Sequence, residues 1–284
     1  LGDKTVRPKS PAELGYPLST YLRGADKCYS RSGWNETDTR VVLTARTLDT
    51  NRYEMGVGLM RITSRGEKLL VAGQAKKGEM HNIYGSGMWI WPTGKQAAEE
   101  QQHTTYWGGH HLKKTGERAG RADSPYEVAM LPAFRGASPT EDRGGDGFHV
   151  FAVDSERFWV DSGQPLDVRK CKRTVVHLKL NAEGREFVVI YDRIDVGQGL
   201  SHCWGARFMN QPDVSGNRFT AVNNKGAIYG TVLAPAAKLD VRGGPGKATE
   251  GPNGESYDKS GYIFCVFDKG SGTFGSDFVY LKAL

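Results

Sequence analysis

Short runs of β-branched and aromatic residues alternate with turn chemistry along most of the chain. Arg40-Val-Val-Leu-Thr-Ala-Arg46 is the first such run. Gly56 to Thr63 then turns at Ser64-Arg65-Gly66-Glu67 into Lys68-Leu-Leu-Val-Ala72, the pattern of a hairpin. The same signature returns where Thr174-Val-Val-His-Leu-Lys-Leu180 and Glu186-Phe-Val-Val-Ile-Tyr191 flank the Gly-containing turn Asn181-Ala-Glu-Gly-Arg185. Further runs are Phe148 to Asp154, Cys203 to Met209, Arg218 to Val222, Ala227 to Leu233, Tyr262 to Phe267 and Phe278 to Leu281. No apolar stripe of helical period is sustained, and only Gln96 to Gln102 is helix-friendly. The pattern predicts an all-β chain, a large antiparallel β-sandwich with few short helices. Thr174 to Leu180 should pair with Glu186 to Tyr191, and the aromatics Phe187, Tyr191, Trp204, Phe208, Tyr262 and Phe264 should fill the space between two sheets.

Residues 1–20 carry Pro8, Pro11 and Pro17 with little apolar periodicity, the signature of an extended arm or linker, so the sandwich domain is expected over residues 21–284. Gly243 to Gly261, with Pro245, Pro252 and Asn253-Gly254, reads as a long exposed loop between two late strands. No internal repeat is evident, which argues against a propeller or solenoid. Leu1-Gly2-Asp3-Lys4 has neither an initiator Met nor a charged-then-apolar leader, so a processed piece of a longer polypeptide is expected.

Composition narrows the function classes. Hydrophobic residues are 38% and charged residues 25% of the chain, which excludes wholesale disorder. No stretch reaches the roughly 18 apolar residues of a membrane-spanning helix. The formal net charge of +6 is dispersed, without the Lys/Arg blocks of a nucleic-acid-binding tail, so nucleic acid is not an expected partner. An anionic partner is compatible with it. Cys28, Cys171, Cys203 and Cys265 form no C-x-x-C pair, which removes the zinc-ribbon and dithiol readings. They are either two disulfides or four buried thiols, and Cys203 and Cys265, in late strands with apolar neighbours, are expected to be buried together. An extracellular or periplasmic setting is expected on the same grounds. Asn35-Glu-Thr37 is a glycosylation sequon.

The richest chemistry lies in Gly78-Glu-Met-His-Asn-Ile-Tyr-Gly-Ser-Gly-Met-Trp-Ile-Trp-Pro92. His81, Asn82 and Tyr84 can bond hydroxyls or a carboxylate, while Trp89 and Trp91 offer faces that stack on sugar rings. For Trp89 and Trp91 the reading as one face of a core strand ended by Pro92 comes first, ahead of the stacking one. Trp107, His110 and His111 follow in Tyr106-Trp-Gly-Gly-His-His111, where glycines admit close approach of a ligand. Adjacent histidines on a strand face opposite ways and make a poor metal pair, so neither a metal nor a cofactor is expected. His177, inside a Val/Leu strand, reads as a surface or hydrogen-bonded sheet position, and His103, His149 and His202 have no partner motif. No G-x-S-x-G elbow, P-loop, H-E-x-x-H or EF-hand loop is present. Glu54, Glu79 and Asp154 leave open a paired-carboxylate glycosidase.

Two of these segments resemble a known family. Tyr29-Ser-Arg-Ser-Gly-Trp-Asn-Glu-Thr-Asp-Thr-Arg-Val-Val-Leu43 is similar to the R-S-x-W and D-T-x-V-V-F opening of the β-sandwich region in heparinase II/III-like polysaccharide lyases. Phe187-Val-Val-Ile-Tyr-Asp-Arg-Ile194 looks like the F-V-V-Y-D-R-V strand of that region, and Glu79 to Trp91 resembles the Asn-containing, Gly-x-Gly-aromatic stretch of chondroitin and hyaluronate lyases. The resemblance spans about residues 21 to 240. It implies β-elimination on an acidic, uronic-acid-containing glycan, with His81 and Tyr84 as catalytic residues and Asn82, Trp89, Trp107, His110 and His111 contacting substrate. It also implies a partner, since lyases of this architecture take a proton-shuttling Tyr and a carboxylate-neutralising Asn or His from an N-terminal helical toroid. No such helical region is legible here, so a helical domain or a second chain is expected to complete the site. Where the family has a His-rich stretch after its first strand, this chain has Asn51-Arg-Tyr-Glu-Met55. That departure supports the competing expectation of a non-catalytic carbohydrate-binding or structural module.

Overall fold

The computed structural model describes residues 7–22, 27–44, 58–71, 86–92, 138–144, 147–154, 167–180, 185–198, 200–234, 239–243, 261–267 and 274–283. All regular structure among them is antiparallel strand, as the hydrophobic pattern predicts. Five strands form the first sheet in chain order: β1 (Ser19–Leu22), β2 (Lys27–Arg31), β3 (Arg40–Thr44), β4 (Met60–Ser64) and β5 (Glu67–Leu70). The β4–β5 turn is Arg65-Gly66, both at positive φ (55° and 75°), so the chain reverses in two residues at the predicted place.

The remaining strands are β6 (Met88–Pro92), β7 (Ser138–Gly144), β8 (Phe148–Asp154), β9 (Val168–Leu180), β10 (Arg185–Val196), β11 (Leu200–Phe208), β12 (Asp213–Ser215), β13 (Arg218–Asn223), β14 (Gly226–Ala234), β15 (Asp240–Gly243), β16 (Gly261–Phe267) and β17 (Phe274–Ala283). They make an eight-stranded sheet in the order β12-β13-β14-β17-β10-β9-β8-β7 and a four-stranded sheet in the order β15-β16-β11-β6. The expected β9–β10 hairpin is present, with Phe187 opposite Leu178 and Tyr191 opposite Thr174. A bridge between Val71 and Arg207 ties the five-stranded sheet to the four-stranded one. The eight-stranded sheet packs one face against the five-stranded sheet, burying Val175, Val188, Ile190 and Ile194 on one side and Val41, Leu43, Met60 and Ile62 on the other.

The core differs from the aromatic one expected. Phe208 is buried, tilted against Phe219 with ring centroids 5.4 Å apart. Phe187 and Tyr191 instead sit half-buried on the outer face of β10, because the inward parity belongs to Val188, Ile190, Asp192 and Ile194. β10 is hydrophobic at both parities, so alternation alone does not say which face turns inward. The side chains of Trp204, Tyr262 and Phe264 lie outside the described residues, as do Gln96–Gln102 and residues 244–260.

Cys28 of β2 and Cys171 of β9 are fully buried. In the β11–β16 ladder Cys203 is opposite Val266 while Cys265 is opposite Trp204. The two positions are one step out of register and of opposite parity, which is not the placement for a bridge between them.

Gly230 of β14 is tightly enclosed. It stands opposite Phe219, and a Cβ there would overlap the Phe219 ring, which lies across the bare backbone. Gly230→Ala should therefore push Phe219 off Phe208 and cost about 1–3 kcal/mol, the usual range for overpacking. A urea melt of that variant with the wild-type midpoint would refute this packing.

Candidate functional site

Of the residues singled out by sequence, His81, Asn82, Tyr84, Trp107, His110 and His111 lie outside the described residues. Trp89 is placed by its backbone in β6, opposite Cys203 of β11. The described structure begins again at Ser86, two residues after Tyr84, and Ser86 is held from several directions. Its Oγ donates to the Val71 carbonyl at 2.8 Å and accepts from the Arg207 backbone N–H at 3.1 Å. Its carbonyl accepts from the Met60 N–H at 2.9 Å and from Arg173 Nη1 at 3.3 Å. The Gly87 carbonyl then accepts from the Gly205 N–H at 2.9 Å. Ser86 thus pins the backbone just ahead of β6 where all three sheets meet.

Arg173 is the centre of that junction. Its side chain is 1% exposed and its partner Asp192, in the facing strand, is 0% exposed. Nε donates to Asp192 Oδ1 at 2.7 Å and Nη2 to Oδ2 at 2.6 Å, a bidentate fork, while Nη1 reaches the Gly58 carbonyl at 2.6 Å. A buried guanidinium is tolerated because its donors meet a carboxylate and two carbonyls. The fork fixes the guanidinium plane, and the guanidinium in turn fixes the backbone at Gly58 and Ser86.

A second buried polar chain crosses between the five- and eight-stranded sheets. Lys179 Nζ donates to Ser19 Oγ at 2.8 Å, Ser19 Oγ lies 3.1 Å from Ser30 Oγ, Ser30 Oγ lies 2.8 Å from His177 Nδ1, and His177 Nε2 lies 3.1 Å from Glu186 Oε2. With Nε2 donating to the carboxylate, a neutral imidazole leaves Nδ1 as acceptor, so Ser30 donates to it and Ser19 to Ser30. The chain then runs in one direction from an ammonium to a carboxylate. Burial pushes the Glu186 carboxyl upward, but hydrogen bonds from His177, Ser32 and Thr39 outweigh it and hold the group below its ordinary range. Ser30, His177 and Glu186 have the connectivity of a nucleophile, base and acid, yet Ser30 and His177 are both 0% exposed. No substrate atom reaches that hydroxyl, and the chain joins sheets rather than performing acyl transfer. His177 is thus the hydrogen-bonded sheet position that its alternation suggests.

Asp154 is engaged by Lys170 at 2.7 Å at the end of β8, and Glu54 and Glu79 lie outside the described residues. Among the described residues no three His, Cys, Asp or Glu side chains converge to hold a metal ion, and no helix is long and apolar enough to cross a membrane.

No protein-family model matches the chain, and no curated protein matches it in sequence. Solved structures do match in fold. A heparan sulfate lyase from Pedobacter heparinus aligns over 94% of this chain with a TM-score of 0.55 and 14% identity. A heparinase III gene product aligns over 94% with a TM-score of 0.60 and 10% identity, and a further heparinase III structure over 91% with a TM-score of 0.54 and 10% identity. This chain has the fold of part of the heparan sulfate lyases. It spans about 36% of the length of the lyase chains named first. The likeness read from Tyr29–Leu43 and Phe187–Ile194 therefore holds at the level of fold, and those segments supply β2, β3 and β10 of the lyase-like sandwich.

The polar residues that organise this junction were not singled out by the sequence. Arg173 sits in Val168-Arg-Lys-Cys-Lys-Arg-Thr174, which reads as a solvated charged run, and Asp192 in Tyr191-Asp-Arg193 reads as a strand end. The usable signal was parity. Asp192 shares its face with Val188, Ile190 and Ile194, and Arg173 with Cys171 and Val175, so each charge falls on a face otherwise hydrophobic and needs a partner there.

Proposed function

We propose that this chain is the β-sandwich part of a polysaccharide lyase acting by β-elimination on an acidic, uronic-acid-containing glycan, with a helical domain or second chain completing the site. The observation that carries the reading is the fold likeness to heparan sulfate lyases across more than nine-tenths of the chain. The Glu79–Trp91 pattern, anchored at Ser86, supports it. Elimination requires the uronate C5 proton to be made acidic by neutralising the adjacent carboxylate, then removed by a base while an acid protonates the leaving oxygen. In this reading His81 neutralises the carboxylate or takes the proton, Tyr84 serves the proton transfer, and Asn82, Trp89, Trp107, His110 and His111 hold the sugar rings.

A second reading, a non-catalytic carbohydrate-binding module, is favoured by one observation: Asn51-Arg-Tyr-Glu-Met55 stands where the lyases have their His-rich stretch. One set of measurements separates the two. The isolated chain should retain a uronate-rich glycan, with affinity falling as salt rises, and should release no unsaturated product. When a lyase helical domain is supplied, His81→Ala should abolish the growth of unsaturated-uronide absorbance if the lyase reading holds, and should only weaken retention if the chain is a binding module. Unchanged glycan retention by a His81→Ala, Tyr84→Ala variant would remove the site assignment from both.

A further inference from the structure

The face of the five-stranded sheet turned away from the core carries a row of cations that no described carboxylate pairs with. Inward positions of β2, β3 and β4 are Cys28, Ser30, Val41, Leu43, Met60 and Ile62, all fully buried. The alternate positions Tyr29, Arg31, Arg40, Val42, Arg61 and Thr63 are partly exposed, and the ladder aligns Arg31 with Arg40, Arg40 with Thr63 and Thr63 with Lys68. With strands about 4.8 Å apart, that row runs roughly 14 Å across the sheet. The next row is Thr20, Tyr29, Val42 and Arg61.

Among the described strands of this sheet, carboxylates are scarce. The single acidic residue in β1 to β5 is Glu67, whose carboxylate accepts from Asn223 and Asn224 of the β13–β14 turn at 3.3 Å, on the side of the eight-stranded sheet. Asp38, in the β2–β3 loop, accepts from the Asn35 backbone N–H at 2.6 Å. Neither Arg31 nor Arg40 makes an ion pair with a described residue. Like charges directly opposite each other on a sheet are destabilising, so an Arg31–Arg40 pair without a counter-charge is a local cost that the fold carries. Arg31 is also held in place, its guanidinium 4.9 Å from the centroid of the Trp34 ring. Burial and, after it, repulsion from Arg40 lower the Arg31 pKa, which places the two guanidiniums within electrostatic reach of each other. Two planar, permanently charged forks side by side match the oxygens of a sulfate or carboxylate group better than two mobile lysines would.

We propose that this outward face, centred on Arg31 and Arg40 and flanked by Trp34, is a binding subsite for the sulfate or carboxylate groups of an acidic glycan. The inference rests on the glycan reading above for its ligand class but on none of the residues from Glu79 to Trp91. The subsite lies on the opposite face of the five-stranded sheet from the Arg173 junction, so it lengthens the glycan's contact with the chain rather than adding to the chemistry.

The test titrates the 284-residue chain with a size-defined heparin oligosaccharide, its desulfated counterpart and polyuridylate at physiological salt, following heat and tryptophan fluorescence. Wild type should bind the sulfated oligosaccharide with a change in Trp34 emission. The Arg31→Gln, Arg40→Gln variant should lose roughly tenfold or more in affinity, the loss of two charge-assisted contacts. Its melting temperature should stay level or rise, because the repulsion is relieved, so weaker binding cannot be ascribed to misfolding. Heparin affinity equal to wild type in that variant overturns the subsite. If His81→Ala removes binding in the same experiment, the glycan reading stands without it. Polyuridylate bound as tightly and lost in parallel also overturns the proposal, because the face would then be a general polyanion surface. If wild type binds no acidic glycan at all, the subsite and the reading it rests on fall together.

Discussion

Asp192→Ala should destabilise the chain by about 3–5 kcal/mol, the usual cost of removing one member of a buried ion pair. The carboxylate meets both Nε and Nη2 of Arg173 inside the sandwich, with both side chains almost fully excluded from water. Without it the guanidinium loses two charge-assisted bonds and keeps its desolvation. The relaxed alternative, turning Arg173 toward solvent, would withdraw Nη1 from the Gly58 and Ser86 carbonyls and leave those acceptors buried. Urea unfolding measures the loss directly. The paired replacement Arg173→Met, Asp192→Leu should recover part of it, since apolar side chains of similar volume remove both charges together while the Gly58 carbonyl still loses its Nη1 donor. A single variant within about 1 kcal/mol of wild type would mean that the pair is not desolvated as its burial indicates.

The double replacement separates two roles. If stability returns while glycan retention does not, the pair is there to hold the backbone at Gly58 and Ser86 rather than to hold the sheets together. That distinction matters because Ser86 is the described residue nearest to Tyr84, and its four hydrogen bonds reach β4, β9, β11 and Val71. Position there comes from a strand junction, not from the segment's own sequence.

The fold was legible because its signal is local. Alternation and turn chemistry around Arg65-Gly66 and between Leu180 and Glu186 mark strands and reversals, and antiparallel neighbours in sequence become neighbours in the sheet. What was illegible is the long-range part. β17 inserts between β14 and β10, although 39 residues separate the end of β14 at Ala234 from the start of β17 at Phe274, and no periodicity announces that insertion. The face choice of β10 was equally hidden, since Phe187, Val189 and Tyr191 are as apolar as Val188 and Ile190. The polar side chains of Arg173, His177, Lys179 and Asp192 distinguish the faces, and they do so against the usual rule: they mark the inside because each meets a partner from another strand. The candidate site was read from composition, which selects residue types able to bind sugars but places none of them relative to the buried junction.

Acid should weaken the chain through Glu186, and the buried chain that starts at its carboxylate sets the direction. Hydrogen bonds from His177, Ser32 and Thr39 hold the folded carboxyl below its ordinary value, against the upward push of burial. The unfolded state then takes up the proton first as pH falls. Stability is fully present above the unfolded value of about 4.5 and is lost as pH drops from there through the lowered folded value, below which the curve flattens. Glu186→Gln keeps an acceptor for His177 Nε2 but removes the charge, so its stability should be lower than wild type at neutral pH and should fall less steeply in acid. His177→Ala is the harsher cut, because it leaves the Ser30 hydroxyl and the Glu186 carboxylate unlinked between the sheets and opens a void the size of an imidazole. The broken link and the void together should cost about 2–4 kcal/mol, the second largest loss expected in the molecule. Urea midpoints measured across pH 3–7 for the three proteins decide it. Parallel acid slopes for wild type and Glu186→Gln would show that Glu186 does not carry the acid sensitivity, and a His177→Ala midpoint equal to wild type would show that the Lys179–Ser19–Ser30–His177–Glu186 chain does not hold the two sheets together.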